Sequence, residues 1–295
     1  MSMEIGYADK VRVVVLADDY AGYNSPFLAQ HGVSYLIDVW SNNSFLRILF
    51  DTGTYAYPIL FNMEKLGINP SSIDTIVLSH NHFDHTGGLY DIVKRIGKND
   101  LPIIAHPMIF KQSFIVKPRL MNIGIPLKNP RKDIEEAGGQ WFLSKMPLVL
   151  GEGVVTTGEI SMEERESFEI YQIPNIYRLR DGELVADKID DEIALVINMR
   201  KGIIVISGCS HSGIVSIVKK SVKLTQNNNV LAVIGGFHLI NADEDRIMNT
   251  VEGLSELGVK NIYAGHCTGL RAEALLLTEF NNRFKKIYAG MIIEI

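Results

Sequence analysis

From Ser79 the chain reads Ser-His-Asn-His-Phe-Asp-His-Thr-Gly-Gly, so His80, His82, Asp84 and His85 fall within six residues. Neutral imidazoles and a carboxylate are the donor set of zinc and similar borderline divalent cations. A cation held there could polarise a substrate oxygen or bring the pKa of a water toward neutrality. The apolar run Ile76-Val77-Leu78 just ahead reads as a buried strand. Alternate side chains of an extended segment point the same way, so His80, His82 and Asp84 are expected to share a face, with His85 on an adjacent one. Gly87-Gly88 then releases the backbone into a turn, and a helix is expected from Leu89.

The elements that must position these residues recur in both halves of the chain. Strands are expected over residues 10–16, 34–40 and 45–50, the last two joined by the polar turn Ser41-Asn42-Asn43-Ser44. A helix over 58–66, closed by Gly67, precedes the histidine-rich stretch, and a strand over 101–105 follows it. The second half gives a hairpin (194–199 and 202–207), a helix (214–224), a strand (230–234), a helix (244–257) and a strand (261–264). Its strands run into Gly208-Cys209-Ser210-His211, Gly235-Gly236-Phe237-His238 and Gly265-His266-Cys267. Helices returning between strands imply sheets covered on their outer faces.

Composition narrows the class. With 295 residues, 46% of them apolar, the chain can bury a substantial core, and we read 1–295 as a single domain. A formal charge of −5 argues against a dedicated nucleic-acid binder. No apolar run approaches the roughly 18 residues of a membrane span. The run 11–17 meets Asp18-Asp19 at once and reads as a strand, not a secretory signal. Two cysteines, Cys209 and Cys267, are too few for a disulfide framework and point to a reducing cytoplasm. There is no P-loop, no G-x-G-x-x-G, and Ser212 stands where a serine nucleophile elbow around Ser210 needs glycine.

Residues from about 107 to 192 read as a loop-rich insertion, with Pro118, Pro126 and Pro130. Lys111, Lys117, Arg119, Lys128, Arg131 and Lys132 follow one another without an intervening acid, and 159–169 is acidic. Two readings stay open: a solvated loop paired with an acidic one, or a cap holding an anionic substrate through Lys117, Arg119 and Lys128.

The run from His80 to His85 resembles the H-x-H-x-D-H motif of the metallo-β-lactamase superfamily, and Phe50-Asp51-Thr52-Gly53 resembles the motif that precedes it there. The resemblance implies an α/β fold of four layers, an αββα sandwich. It gives His80 and His82 to one metal, Asp84 and His85 to a second, His211 and His266 as the third ligand of each, and Asp51 as an orienting group. Where typical binuclear members carry a bridging Gly-Asp, this chain has Gly208-Cys209. Cys209 is either a thiolate ligand or a small apolar packing residue. One or two divalent metals are expected, zinc first, then manganese or iron. Asp84 and His238 are the candidate catalytic residues, His238 because Gly235-Gly236 allow close approach of a substrate.

The stretches 207–213, 235–239 and 265–269 also look like a subfamily that includes archaeal dihydropterin synthases of methanopterin biosynthesis. The first functional expectation is a metal-dependent hydrolase of an anionic, phosphate-bearing small molecule. The second is a transferase that joins a dihydropterin-methyl diphosphate to a phosphorylated aryl riboside and releases diphosphate. The third is a non-catalytic metal or ligand sensor on the same scaffold. Oligomeric state is left open.

Overall fold

Strands apolar on both faces build the centre of the molecule. In Lys10–Ala17, Val11, Val13 and Val15 point into one buried cluster while Val14 and Leu16 point into another. Period two delivers alternate residues to opposite faces, so both faces of this strand must be covered. Ser34–Ser41 behaves the same way, with Tyr35, Ile37 and Val39 on one side and Leu36 on the other. The computed structural model describes residues 4–42, 44–126, 128–171 and 173–295, so Asn43 of the expected turn lies outside the described residues.

Two seven-stranded sheets result. The first runs Ile292–Glu294, Lys10–Ala17, Ser34–Ser41, Ser44–Phe50, Thr75–Val77, Leu101–Ala105, Gly139–Leu143, in that spatial order. The second runs Phe284–Lys286, Ile262–Gly265, Val230–Gly236, Gly202–Ile206, Leu195–Met199, Val154–Thr156, Val149–Gly151. Each combines an antiparallel hairpin with a run of parallel strands. Between the sheets lies one apolar layer, with Ile204 and Ile206 of the second sheet meeting Val13, Ile37 and Ile48 of the first. Helices Ala56–Lys65 and Leu89–Ile96 cover the outside of the first sheet. Helices Ile214–Thr225, Glu244–Glu256 and Leu270–Phe280 cover the second. This is the expected αββα sandwich. No helix among the described residues is long and apolar enough to cross a membrane.

The stretch 107–192 is less of a loop than its prolines suggest. Gly139–Leu143 extends the first sheet, and Val149–Gly151 and Val154–Thr156 extend the second. Ser113–Ile115, Met121–Asn122, Ile176–Arg180 and Glu183–Ala186 form a separate four-stranded antiparallel sheet. These strands are two to five residues long, too short for a hydrophobic period to stand out. Beyond Gly269 the sequence reading assigns no element, yet a helix and two short strands follow, and Ile292–Glu294 pairs with Lys10–Ala17.

Candidate metal centre

The chain ends of the parallel strands converge on one rim, where open α/β sheets usually place their sites. The strand Thr75–Val77 stops before the histidines: His80 and His82 sit on a loop, and Asp84 and His85 on the helical turn Phe83–Thr86. That corrects the expectation that Asp84 shares a face with His80 and His82. The helical turn rotates Asp84 and His85 toward a different point, and two clusters form instead of one.

The first cluster is His80, His82 and His211, whose ligand atoms all lie within 4.8 Å of one another. Nε2 of His80 is 3.0 Å from Nδ1 of His82. A tetrahedral site with zinc–nitrogen bonds of about 2.0–2.1 Å sets such nitrogens about 3.3 Å apart. All three rings are buried, and neither ring nitrogen of His211 has a hydrogen-bond partner. Burial holds His80 and His211 well below the ordinary imidazole range and pushes His82 down to about 4. Neutral imidazoles are the metal-binding form, so the three residues fit a divalent cation. Glu192, buried beneath them, accepts the backbone N–H groups of His211 (2.8 Å) and Ser212 (2.6 Å) and fixes that loop.

The second cluster is Asp84, His85, Cys209 and His266, again within 4.8 Å. Nε2 of His85 is 3.1 Å and Nε2 of His266 3.3 Å from Sγ of Cys209. The outward nitrogens are held by carboxylates: Nδ1 of His85 lies 2.7 Å from Asp51 and Nδ1 of His266 2.5 Å from Asp19. A proton on each Nδ1 leaves the Nε2 lone pair aimed inward, as metal-bound histidines require. Asp51 is itself fixed, since its two oxygens accept the backbone N–H and the hydroxyl of Ser79, each at 2.7 Å. Asp51→Ala is therefore expected to weaken the second cluster's metal affinity roughly 10–100-fold, which a chelator competition titration measures.

The two clusters differ in charge. Burial works against protonation of His85, but Asp84 and Asp51 outweigh it and raise this imidazole to about 10. His266 is also raised, against burial, by Cys267 and by its bonds to Asp19 and Asp84. The second cluster therefore needs positive charge, from protons or from a cation, and a cation must displace protons to bind. Affinity there is expected to rise with pH through the neutral range, with proton release. The three-histidine cluster, whose His82 titrates near 4, is expected to bind without that dependence. Calorimetry in buffers of different ionisation enthalpy distinguishes two such sites from two alike.

Both clusters open onto one cleft of about 480 Å³. Its walls carry Ile115, Lys117, Ile123, Ile173, Ile176 and Ile240. His238 lines it too, with its ring centroid 4.2 Å from that of His211 and its Nδ1 unpartnered. Of the basic run, Lys117 alone lines the cleft. Arg119 turns to Met121 Sδ, and Lys128 lies 6.0 Å from the Tyr55 ring, so neither forms part of the wall. Lys111 is buried between Asp187 and Asp191, and Arg131 and Lys132 pair with Glu135 and Glu136 one helical turn on.

The model of the metallo-beta-lactamase superfamily matches residues 30–216. The chain belongs to this superfamily. Over 294 residues, the whole length of both chains, it is 54% identical to the 7,8-dihydropterin-6-methyl-4-(beta-D-ribofuranosyl)-aminobenzene-5'-phosphate synthase of Methanocaldococcus jannaschii. An uncharacterized protein of the same organism is 32% identical over 289 residues, 96% of this chain and 100% of that one. A solved metal-dependent hydrolase of the beta-lactamase superfamily superposes with a TM-score of 0.78 at 27% identity, covering 97% of this chain and 99% of its own.

Two groups in this metallo-β-lactamase site escape a reading by motif. Asp19 bridges His266 and His31, with its other oxygen 2.8 Å from Nδ1 of His31. Its only sequence signal is its place at the end of the first strand. Glu192 closes the acidic run Asp190-Asp191-Glu192, which reads as surface until the fold buries it.

Proposed function

We propose that this chain is a dihydropterin-joining synthase: it transfers a dihydropterin-methyl group from its diphosphate to the amine of a phosphorylated aryl riboside, with release of diphosphate. The observation that carries this reading is 54% identity along the full length of the M. jannaschii synthase. Hydrolysis, placed first from the motifs, becomes the second reading, supported by the superposed hydrolase. The superfamily motif alone is common to both chemistries.

Divalent cations, when bound by the two clusters, would supply the positive charge that a departing diphosphate needs. The remaining roles belong to the chain. Lys117 adds a cation to the wall of the cleft, and we assign it to a substrate phosphate. Ile115, Ile123, Ile173, Ile176 and Ile240 offer flat apolar walls to the pterin and aryl rings. Once filled, such a cleft holds little water, which favours an amine over water as the attacking group. His31 stands at the mouth with its Nδ1 held by Asp19, and its Nε2 is the group we assign to take the proton the amine loses. We place the reaction in the cytoplasm, where the free thiols of Cys209 and Cys267 stay reduced.

Diphosphate release from a dihydropterin-methyl diphosphate tests the reading, with and without the aryl riboside phosphate, on zinc- and manganese-loaded protein. Release that depends on the acceptor is the expected result. Acceptor-independent release, or cleavage of a generic aryl phosphodiester at the same rate, would return the protein to the hydrolases.

A further inference from the structure

Cys209 belongs to two constellations. One is the second cluster; the other is Cys209, Cys267 and His238, whose donor atoms also lie within 4.8 Å of one another. We propose that this second constellation is a distinct thiophilic cation site, sharing the Cys209 sulfur with the second cluster and taking a soft d10 ion such as cadmium or monovalent copper. It does not depend on which reaction the protein catalyses.

Donor chemistry comes first. Two thiolates and an imidazole select soft ions, whereas a carboxylate with histidines suits harder ones. Both cysteines are free and buried. Zinc bonds of about 2.3 Å to sulfur and about 2.0 Å to nitrogen set tetrahedral donors about 3.3–3.8 Å apart, and the larger cadmium ion sets them wider, so donors within 4.8 Å close on such an ion with small movements.

The backbone is shaped to make this contact. A Cβ at Gly235 would come within 2.3 Å of the Ser207 carbonyl oxygen, and one at Gly236 within 2.7 Å of Cys267 Sγ. Only glycines let the strand Val230–Gly236 carry its end against Cys267. His238 follows with a φ of +45°, in the left-handed region that non-glycine residues seldom occupy. Its N–H donates to Cys267 Sγ at 3.3 Å, an interaction that favours thiolate over thiol. Its Nδ1 is buried without a partner. A strained histidine beside a thiol, with an unused ring nitrogen, is better accounted for by a ligand than by packing.

An ion held here draws on the same Cys209 sulfur as the second cluster, since Sγ stands 3.1 Å from Nε2 of His85 and 3.3 Å from Nε2 of His266. Thiophilic cations are therefore expected to inhibit from within the site, without occupying the three-histidine cluster.

The test uses full-length protein preloaded with manganese, to which one equivalent of cadmium is added. X-ray absorption at the cadmium edge is expected to count two sulfurs and at least one nitrogen, with a thiolate-to-cadmium charge-transfer band in the ultraviolet. Cys267→Ser is expected to halve that band and leave bound manganese unchanged. A count of one sulfur places cadmium in the second cluster alone and overturns the proposal, as does a count of none. The sulfur count on unmodified protein decides the matter even if Cys267→Ser does not fold.

Discussion

His80→Ala is expected to remove one equivalent of bound metal and Asp84→Ala a different one, with turnover falling roughly a thousandfold in each. The magnitude follows from charge: a cation contributes several kcal/mol to a developing anion, and about 4 kcal/mol is a factor of about a thousand. The separation follows from geometry. His80 closes on His82 and His211, while Asp84 closes on His85, Cys209 and His266. Metal analysis of the two variants, each reloaded with zinc, checks both statements. If either variant keeps its full metal content and its activity, the ligand assignment is wrong. If each loses both equivalents, the clusters act as one coupled site.

Lys111→Met is expected to destabilise the fold by about 3–5 kcal/mol, the usual consequence of removing one partner from a buried ion pair. The Lys111 side chain is 6% exposed and those of Asp187 and Asp191 not at all, with Nζ 2.9 Å and 2.6 Å from them. Methionine would leave two buried carboxylates without a cation. The damage should also reach the site, because Asp191 accepts the N–H of Asn81, the residue between His80 and His82, at 2.9 Å. Urea unfolding of the metal-free protein measures the first effect, and zinc affinity the second. Lys111→Met combined with Asp191→Asn should recover part of the loss, since one stranded charge is then gone. A loss under about 1 kcal/mol in the single variant would show the three groups to be solvated in solution, and the network to have no structural role.

These variants mark where the sequence was readable and where it was not. His80, His82, Asp84 and His85 could be found because four donor side chains crowd into six residues. His211 and His266 were assigned through the resemblance to the superfamily, and the fold brings both to the rim where the motif lies. The alternation of strands with helices implied sheets covered on their outer faces, and the four-layer sandwich came through the resemblance. Other features depend on distance in space alone. Asp19 meets His266 across 247 residues of chain, and no local pattern encodes that pairing. Lys111 heads a basic run that reads either as a solvated loop or as part of a cap, because sequence displays the sign of a charge but not its burial. Lys117, six residues on and past the short strand Ser113–Ile115, does reach the cleft. The stretch 107–192 shows the same limit, since its strands take their neighbours from remote parts of the chain.

Neither sheet carries a whole ligand set. Loops of the first supply His80, His82, Asp84 and His85; loops of the second supply Cys209, His211 and His266. An ion at either position would rivet one layer to the other across the apolar seam. The layers can then part only once the ion has left through the cleft. Loading either cluster is expected to slow backbone amide exchange in the central strands, because an ion that binds only the closed sandwich makes its opening rarer.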